Sequence, residues 1–504
     1  MAITTRSSVA AVKEEITEGT PVAPAAATDY LALQDDFSIA PGTDSLENGE
    51  LKSSIGKSKP ISGAENPTAS FSHYLRASGV VAQAPNFGLL LKSCLGAVAV
   101  ATTEYNTVAS STTSLIKVDT GEGATFQRGE ALLIKDGVNG HLIRCLDSIS
   151  SDDLTPGFKL PAAPAVNVNL GRSVLYYPAN TGHSSLTLWH YLGNGGAVQM
   201  VSGARCTEAS FEMAAGQLIT GNYSLEGIGF YYNPITIAAA DTKLDFTDDD
   251  GTFAATVTAG VYKTPHELAS ALQTSMRSVS AGETATVSYS DTTGKFTIKT
   301  TGTVLSLLWN TGANTANTIG DKIGFLVAAD DTGTVATTGY TSDNAISWAS
   351  PYTASYDSAD PLVAKDNEIM IGDTADYLCF EASSVSVAIS SSKTNVESVC
   401  STTGVSGSVV NERVVTMNVT GTVAQYDVSK YEKFRTNANT KLQYSFGEKS
   451  GGNWVAGKCG AIYVPTATIT SFELTDSDGL ATIELELSAY VNSSGEGEIF
   501  VNFL

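Results

Sequence analysis

The chain has 504 residues, too many for a single core, and 42% of them are hydrophobic, which is ample for several packed interiors. Its 29 basic residues against 52 acidic give a net charge of −23 at pH 7, a surface that repels phosphate and argues against specific nucleic-acid binding. Only 16% of the residues are charged, and 46 glycines among abundant Ser, Thr and Val describe a β-rich chain with many turns, suited to hiding surface against copies of itself.

An internal repeat organises the chain. Thr28-Asp29-Tyr30-Leu31-Ala32-Leu33 and the following Phe37-Ser38-Ile39 are echoed by Ala375-Asp376-Tyr377-Leu378-Cys379-Phe380 and Val385-Ser386-Val387-Ala388-Ile389. Each pair leads into a long polar stretch, residues 41–67 in one copy and 390–412 in the other, then into an alternating strand: 69–75 and 414–419. Short helical segments are expected at 85–95 and 428–437. Hairpins follow at 186–200, with an Asn194-Gly195-Gly196 turn, and at 442–455, with Ser450-Gly451-Gly452. Ser210-Phe211-Glu212-Met213 and Ser471-Phe472-Glu473-Leu474 match near the end, each followed by a last strand, 218–227 and 480–489. This order reads as an ancient duplication.

Two insertions distinguish the copies. Residues 101–180 read as a small β module with strands at 114–118, 131–135 and 141–146. Residues 235–350 carry the clearest helix signal, Thr264-Pro265-His266-Glu267-Leu268: Thr264 caps, Pro265 suits the first turn, and Glu267 completes a capping box. Leu268, Leu272 and Met276 then keep one face, and strands are expected at 284–289, 296–300 and 305–309.

No catalytic, cofactor-binding or metal-ligating set emerges. The five histidines, His73, His141, His183, His190 and His266, never pair at ligand spacing, and His73 and His190 read as packed strand residues. Asp248-Asp249-Asp250-Gly251 fails the calcium-loop pattern, with Phe246 and Val257 where oxygen ligands belong, and reads as a hairpin turn. Asp476-Ser477-Asp478-Gly479 likewise reads as a turn, and Gly56-Lys57-Ser58 lacks the upstream glycine of a phosphate loop. Cys94, Cys145, Cys206, Cys379, Cys400 and Cys459 are scattered and form no CxxC, which suggests reduced structural thiols. Neither an apolar leader nor a membrane-length apolar run is found in the sequence. Glu484 and Glu486 alternate on one face of a strand, as the wet face of an amphipathic sheet does.

The ordered set resembles the tail-tube (major tail) proteins of siphophages. The matching segments are Val12-Lys13-Glu14-Glu15-Ile16-Thr17-Glu18-Gly19-Thr20-Pro21, Asp29-Tyr30-Leu31, the polar loop to Pro67, Phe71-Ser72-His73-Tyr74-Leu75-Arg76-Ala77-Ser78-Gly79, and Ala84-Pro85-Asn86-Phe87-Gly88-Leu89-Leu90-Leu91-Lys92-Ser93-Cys94-Leu95-Gly96. The resemblance implies a mainly β fold, with two tail-tube-type antiparallel β-sandwich or barrel domains, each with a short helix, plus inserted β-rich domains. The domains expected are 1–234 (with the insertion at 101–180), an accessory α+β domain at 235–350 on the outer surface, and a second tube domain at 351–504. It further implies a structural virion protein, not an enzyme, that assembles in the bacterial cytoplasm into stacked rings forming the conduit for DNA ejection. Two tube domains per chain suggest three chains per ring, with pseudo-sixfold symmetry. Expected partners are other copies, a tape measure protein and other tail proteins, with no membrane and no cofactor. DNA would pass without sticking through an acidic lumen, for which Glu226, Glu484 and Glu486 are the candidates. The long loop 41–67 would order only against the next ring. A tail terminator, a baseplate protein or a surface adhesin are the competing readings.

Overall fold

A computed structural model of the protein describes residues 3–50, 52–53, 55–333, 338–374, 377–379, 381–422, 428–477, 479–492 and 497–504. Within them the fold is mainly β, built of several antiparallel sheets. Ala375, Asp376 and Phe380 of the second Tyr-Leu motif lie outside the described residues. The chain divides into two compact units: Met1–Ala10, Leu188–Val201 and Gly229–Pro351 form one, and Ala11–Thr187, Ser202–Ile228 and Tyr352–Leu504 the other.

The first unit is centred on helix Pro265–Val279. Thr264 accepts a hydrogen bond from the Glu267 amide at 3.2 Å, as the spacing requires. The Glu267 carboxylate accepts from the Lys263 amide, one residue earlier than a capping box would have it. Leu268, Leu272 and Met276 are fully buried among Phe246, Phe296, Ile298 and Leu307 from short strands around the helix, with Trp309 just beyond the last of them. Those strands are Lys243–Asp248, Gly251–Thr256, Thr286–Ser290, Lys295–Lys299 and Leu305–Leu307.

The second unit holds a continuous run of eight strands, part of a larger branched sheet and called the eight-stranded sheet below. In chain order they are β1 (Ser38–Ala40), β2 (Thr68–Tyr74), β3 (Ala197–Ala214, of which 202–214 belong to this unit), β4 (Thr220–Glu226), β5 (Ala382–Glu397), β6 (Val405–Thr422), β7 (Asn453–Ser477) and β8 (Leu480–Ala489). Their spatial order is β1-β2-β4-β3-β5-β6-β8-β7, every neighbour antiparallel. The first four strands and the last four follow one plan. The seam is the ladder between β3 and β5, which runs from Glu208↔Ser390 to Ala214↔Ser384.

Each half has a bulge at the same place in its plan. The β3–β4 ladder shifts between Cys206 and Glu208, and the β7–β8 ladder between Ile469 and Ser471. Superposing the bulges sets Glu208 with Ser471, Ser210 with Glu473 and Phe211 with Leu474. The Ser-Phe-Glu strings matched by sequence are therefore two residues out of structural register. A two-residue slip keeps every side chain on its own face, so the alternation survives it.

Around this sheet lie helices Gly88–Leu95 and Val428–Thr436 and a six-stranded module. The module runs from Tyr105–Asn106 to Asn169–Gly171, with its own core of Ile116, Leu132, Ile134, Leu154 and Leu170. The terminal strand Phe500–Phe503 pairs on one side with Val174–Tyr176 and on the other with residues 460–463 of β7. Asn502, fully buried, ties this strand to the module. Its Oδ1 accepts from the Ala131 amide and the Ser173 hydroxyl, each at 2.9 Å, and its Nδ2 donates to the Gly129 carbonyl at 3.0 Å.

The polar stretches read as loops are partly strands. Residues 43–46 and 61–65 pair as a hairpin, and β5 and β6 run on as one long hairpin to Glu397 and from Val405. Ser, Thr and Val have the side chains a two-sided polar ladder tolerates, so low hydrophobicity hid the strands. The two hairpins touch: the Glu65 amide donates to the Thr403 carbonyl at 3.0 Å.

Candidate functional site

The two faces of the eight-stranded sheet differ in chemistry. One face is dry: Phe71, Phe211, Tyr223, Val387, Val419 and Leu485 are buried on it. Rings pack along the first half, with Phe37 and Phe71 5.4 Å apart, Phe71 and Tyr223 6.0 Å, and His73 and Tyr223 5.4 Å. Burial lowers the pKa of His73 from 6.5 to about 4, so the ring is neutral, its Nδ1 donating to the Tyr74 carbonyl at 3.0 Å. The cleft that His73 lines with Arg76 and Asp357 has about 20 Å³ of free volume, room for a water molecule and not for a substrate.

The other face is wet, and its cross-strand rows can be read from the ladders. One row runs Ser38, Ser70, Ser224, Glu208, Ser390. The next but one runs Tyr74, Thr220, Glu212, Ser386, Asn418, Glu486, Ser471, and the row beyond it Ala214, Ser384, Thr420, Glu484, Glu473. Apart from Tyr74 and Ala214 these rows contain Ser, Thr, Asn and Glu, and they hold no lysine or arginine. Glu473 and Glu484 stand directly opposite each other, a like-charge pair that disfavours the local ladder.

Of the residues singled out in the sequence, Glu484 and Glu486 do share this face and are exposed, and Glu226 is exposed at the end of β4. Glu208, Glu212 and Glu473 belong with them and were missed. Their signal was the alternation Glu208-Ser210-Glu212, which the Ser-Phe-Glu match drew attention away from. Asp248 and Gly251 close a β-turn as expected. Lys57 pairs with Glu47 at 3.3 Å, both exposed. His266 pairs with Asp291 at 3.0 Å, and the Nδ1 of His141 lies 3.0 Å from the Trp454 carbonyl oxygen. Among the described residues no group of three or more His, Cys, Asp or Glu is arranged to hold a metal, and no helix is long and apolar enough to cross a membrane. Cys94, Cys145, Cys206, Cys400 and Cys459 are free thiols, and Cys400 is exposed.

The sheet ends in two open edges. β1 pairs with β2 on one side, and among the described strand pairings its other side meets no strand. At the far end, the pairing of β7 with strand Thr440–Ser450 stops at Ala467, beyond which residues 470–477 are laddered to β8 alone among the described strand pairings.

No family model and no characterised protein sequence matches the chain. Among solved structures, a chain of the virion of a native gene transfer agent particle is 14% identical, with 25% of this chain and 92% of that chain covered and a TM-score of 0.19. The SPP1 tail tube is 13% identical over 27% of this chain and 76% of that one, with a TM-score of 0.18. Hcp1 of the E. coli EAEC 042 pathovar is 12% identical over 26% and 95%, with a TM-score of 0.17.

Proposed function

We propose that the chain is a structural virion protein, the repeating subunit of the tail tube of a siphovirus-type bacteriophage. The observation that carries this reading is a doubled sheet with one dry face, one wet face whose middle rows carry glutamates and no lysine or arginine, and an open edge at each end. A strand edge left open invites pairing, and closure into a ring is the arrangement that satisfies every edge. The wet face then lines a lumen through which DNA leaves for the host, repelled by the glutamates of its middle rows, while Arg205 stands opposite Glu226 at one end. Residues 1–234 and 351–504 each supply one tube domain, so three chains complete a ring of six. The hairpins 43–46/61–65 and 390–412 reach the neighbouring ring. Residues 235–350, with a core of their own, decorate the outside and take no part in ring closure. A tape measure protein and other tail proteins are the further partners, assembly takes place in the host cytoplasm, and no catalytic step is involved.

Negative-stain microscopy of the purified protein tests this directly. Long hollow tubes are expected, with three outer protrusions per ring when images are averaged without imposed symmetry. Deleting residues 240–348 should leave the tubes and remove the protrusions. Monomers or single closed rings under all conditions would favour a terminator or baseplate role instead.

A further inference from the structure

The seam inside one chain is a template for the contact between chains. β3 and β7 occupy the same place in their halves, as do β1 and β5. Their bulges and ladders convert one half's numbering into the other's: Ser210 stands for Glu473, Phe211 for Leu474 and Glu212 for Thr475 through β3 and β7. On the other strand, Ser386 stands for Ser38, Val387 for Ile39 and Ala388 for Ala40, because Ser386 faces Asn418 as Ser38 faces Ser70.

We propose that the open edge of β7 in one chain pairs antiparallel with β1 of the next chain in the register of the internal seam, Glu473 opposite Ala40, Leu474 opposite Ile39 and Thr475 opposite Ser38. The partner is a second copy of this chain, and the contact is head to tail. The proposal rests on the ring-forming reading above and deepens it.

Three observations support the register. Within the chain, Phe211 faces Val387, and the two are 1% and 0% exposed. Their counterparts are uncovered: Leu474 is 51% exposed, and Ile39 is only half-buried. Pairing β7 with β1 brings these two apolar side chains together on the dry face, as the seam does. Second, the glutamates and serines of both strands stay on the wet face, since the register preserves parity. Third, β1 stops at Ala40 because Pro41 has no amide to give, so the ladder between chains is shorter than the one inside and ends where the donor is lost. A short ladder between chains and a long one within them lets subunits fold first and join afterwards.

Cysteine pairing reads the register. In a Cys400→Ser background, Ala40→Cys and Glu473→Cys are placed on separate chains, mixed, and treated with a short thiol-bridging reagent. The expected product is a covalent dimer from the mixture and none from either variant alone. With both changes in one chain, ladders should end at a closed trimer. Ser210→Cys with Ala388→Cys is the internal control and should bridge within a monomer. Tubes that form normally but bridge only at other pairs overturn the register while leaving the tube reading standing. Bridging of Ala40→Cys to itself would mean a two-fold contact and overturn head-to-tail closure. Bridged trimers that never stack into tubes would support the edge and sink the tube.

Discussion

Phe211 stands directly opposite Val387 where β3 meets β5, and this pair closes the seam between the two halves of the eight-stranded sheet. Both side chains are buried, so the seam is part of the folded subunit's core. Phe211→Ala should cost about 3–5 kcal/mol in the free subunit, the usual range for emptying a buried ring site. Leu474→Ala, at the equivalent but open position, should change subunit stability by under about 1 kcal/mol and instead lower the yield of assemblies. Urea unfolding of the monomer and sedimentation of assemblies separate the two effects. Equal destabilisation of the monomer by both changes would remove the distinction between seam and edge.

His73 gives the fold a pH dependence of definite sign. Its folded pKa of about 4 lies below the 6.5 of an exposed histidine, because burial disfavours the charged ring. The unfolded chain therefore binds the proton first, and stability from this group is complete above pH 6.5 and lost as pH falls towards 4. The loss approaches about 3 kcal/mol, at roughly 1.4 kcal/mol per pH unit. His73→Gln should flatten the stability profile in that window. An unchanged slope in the variant would assign the acid sensitivity to other groups.

Asn502 joins the chain's last strand to the 101–180 module through three hydrogen bonds, with no exposed surface. Replacing it by Ala leaves the Ala131 amide and the Gly129 carbonyl buried without this partner, and should cost about 2–4 kcal/mol. The measurement is thermal unfolding of the monomer, in which this loss should exceed that of any exposed Asn→Ala change by several degrees. A shift within error would mean that water replaces the side chain.

Much of this architecture was legible because alternation and turn chemistry are local. The 265–279 helix announced itself through Thr264, Pro265 and the Leu268-Leu272-Met276 stripe, and the turns at Gly195-Gly196 and Gly451-Gly452 fell where two hairpins close. The seam was not legible. Which strand edge meets which depends on bulges at Cys206 and Ile469, and a bulge has no sequence signature strong enough to overcome a chance Ser-Phe-Glu match. The membership of Glu208, Glu212 and Glu473 in the wet face followed only once that register was known. Long polar hairpins such as 390–412 escaped notice because neither face is apolar along their length.

The wet face offers the sharpest test of what the sheet is for. Glu484 faces Glu473 directly, and Glu212 and Glu486 share one row, so the charge is spread over both halves. The Glu473–Glu484 pair works against the fold, and Glu484→Gln should stabilise the subunit by about 0.2–1 kcal/mol. A change that improves folding yet impairs the virion marks charge kept for function. On the proposed tail-tube reading, replacing Glu226, Glu484 and Glu486 together by Lys should leave tubes intact, since all three are exposed, but slow or block DNA release. Each lysine can hold a passing phosphate, and the hold should weaken as salt rises, because bound counterions are displaced in the contact. The matching triple Gln variant removes repulsion without adding attraction, and should release DNA at an intermediate rate. Ejection timed by fluorescence from virions carrying each set distinguishes the cases. Unchanged kinetics in the Lys variant at low salt would show that this face does not meet DNA.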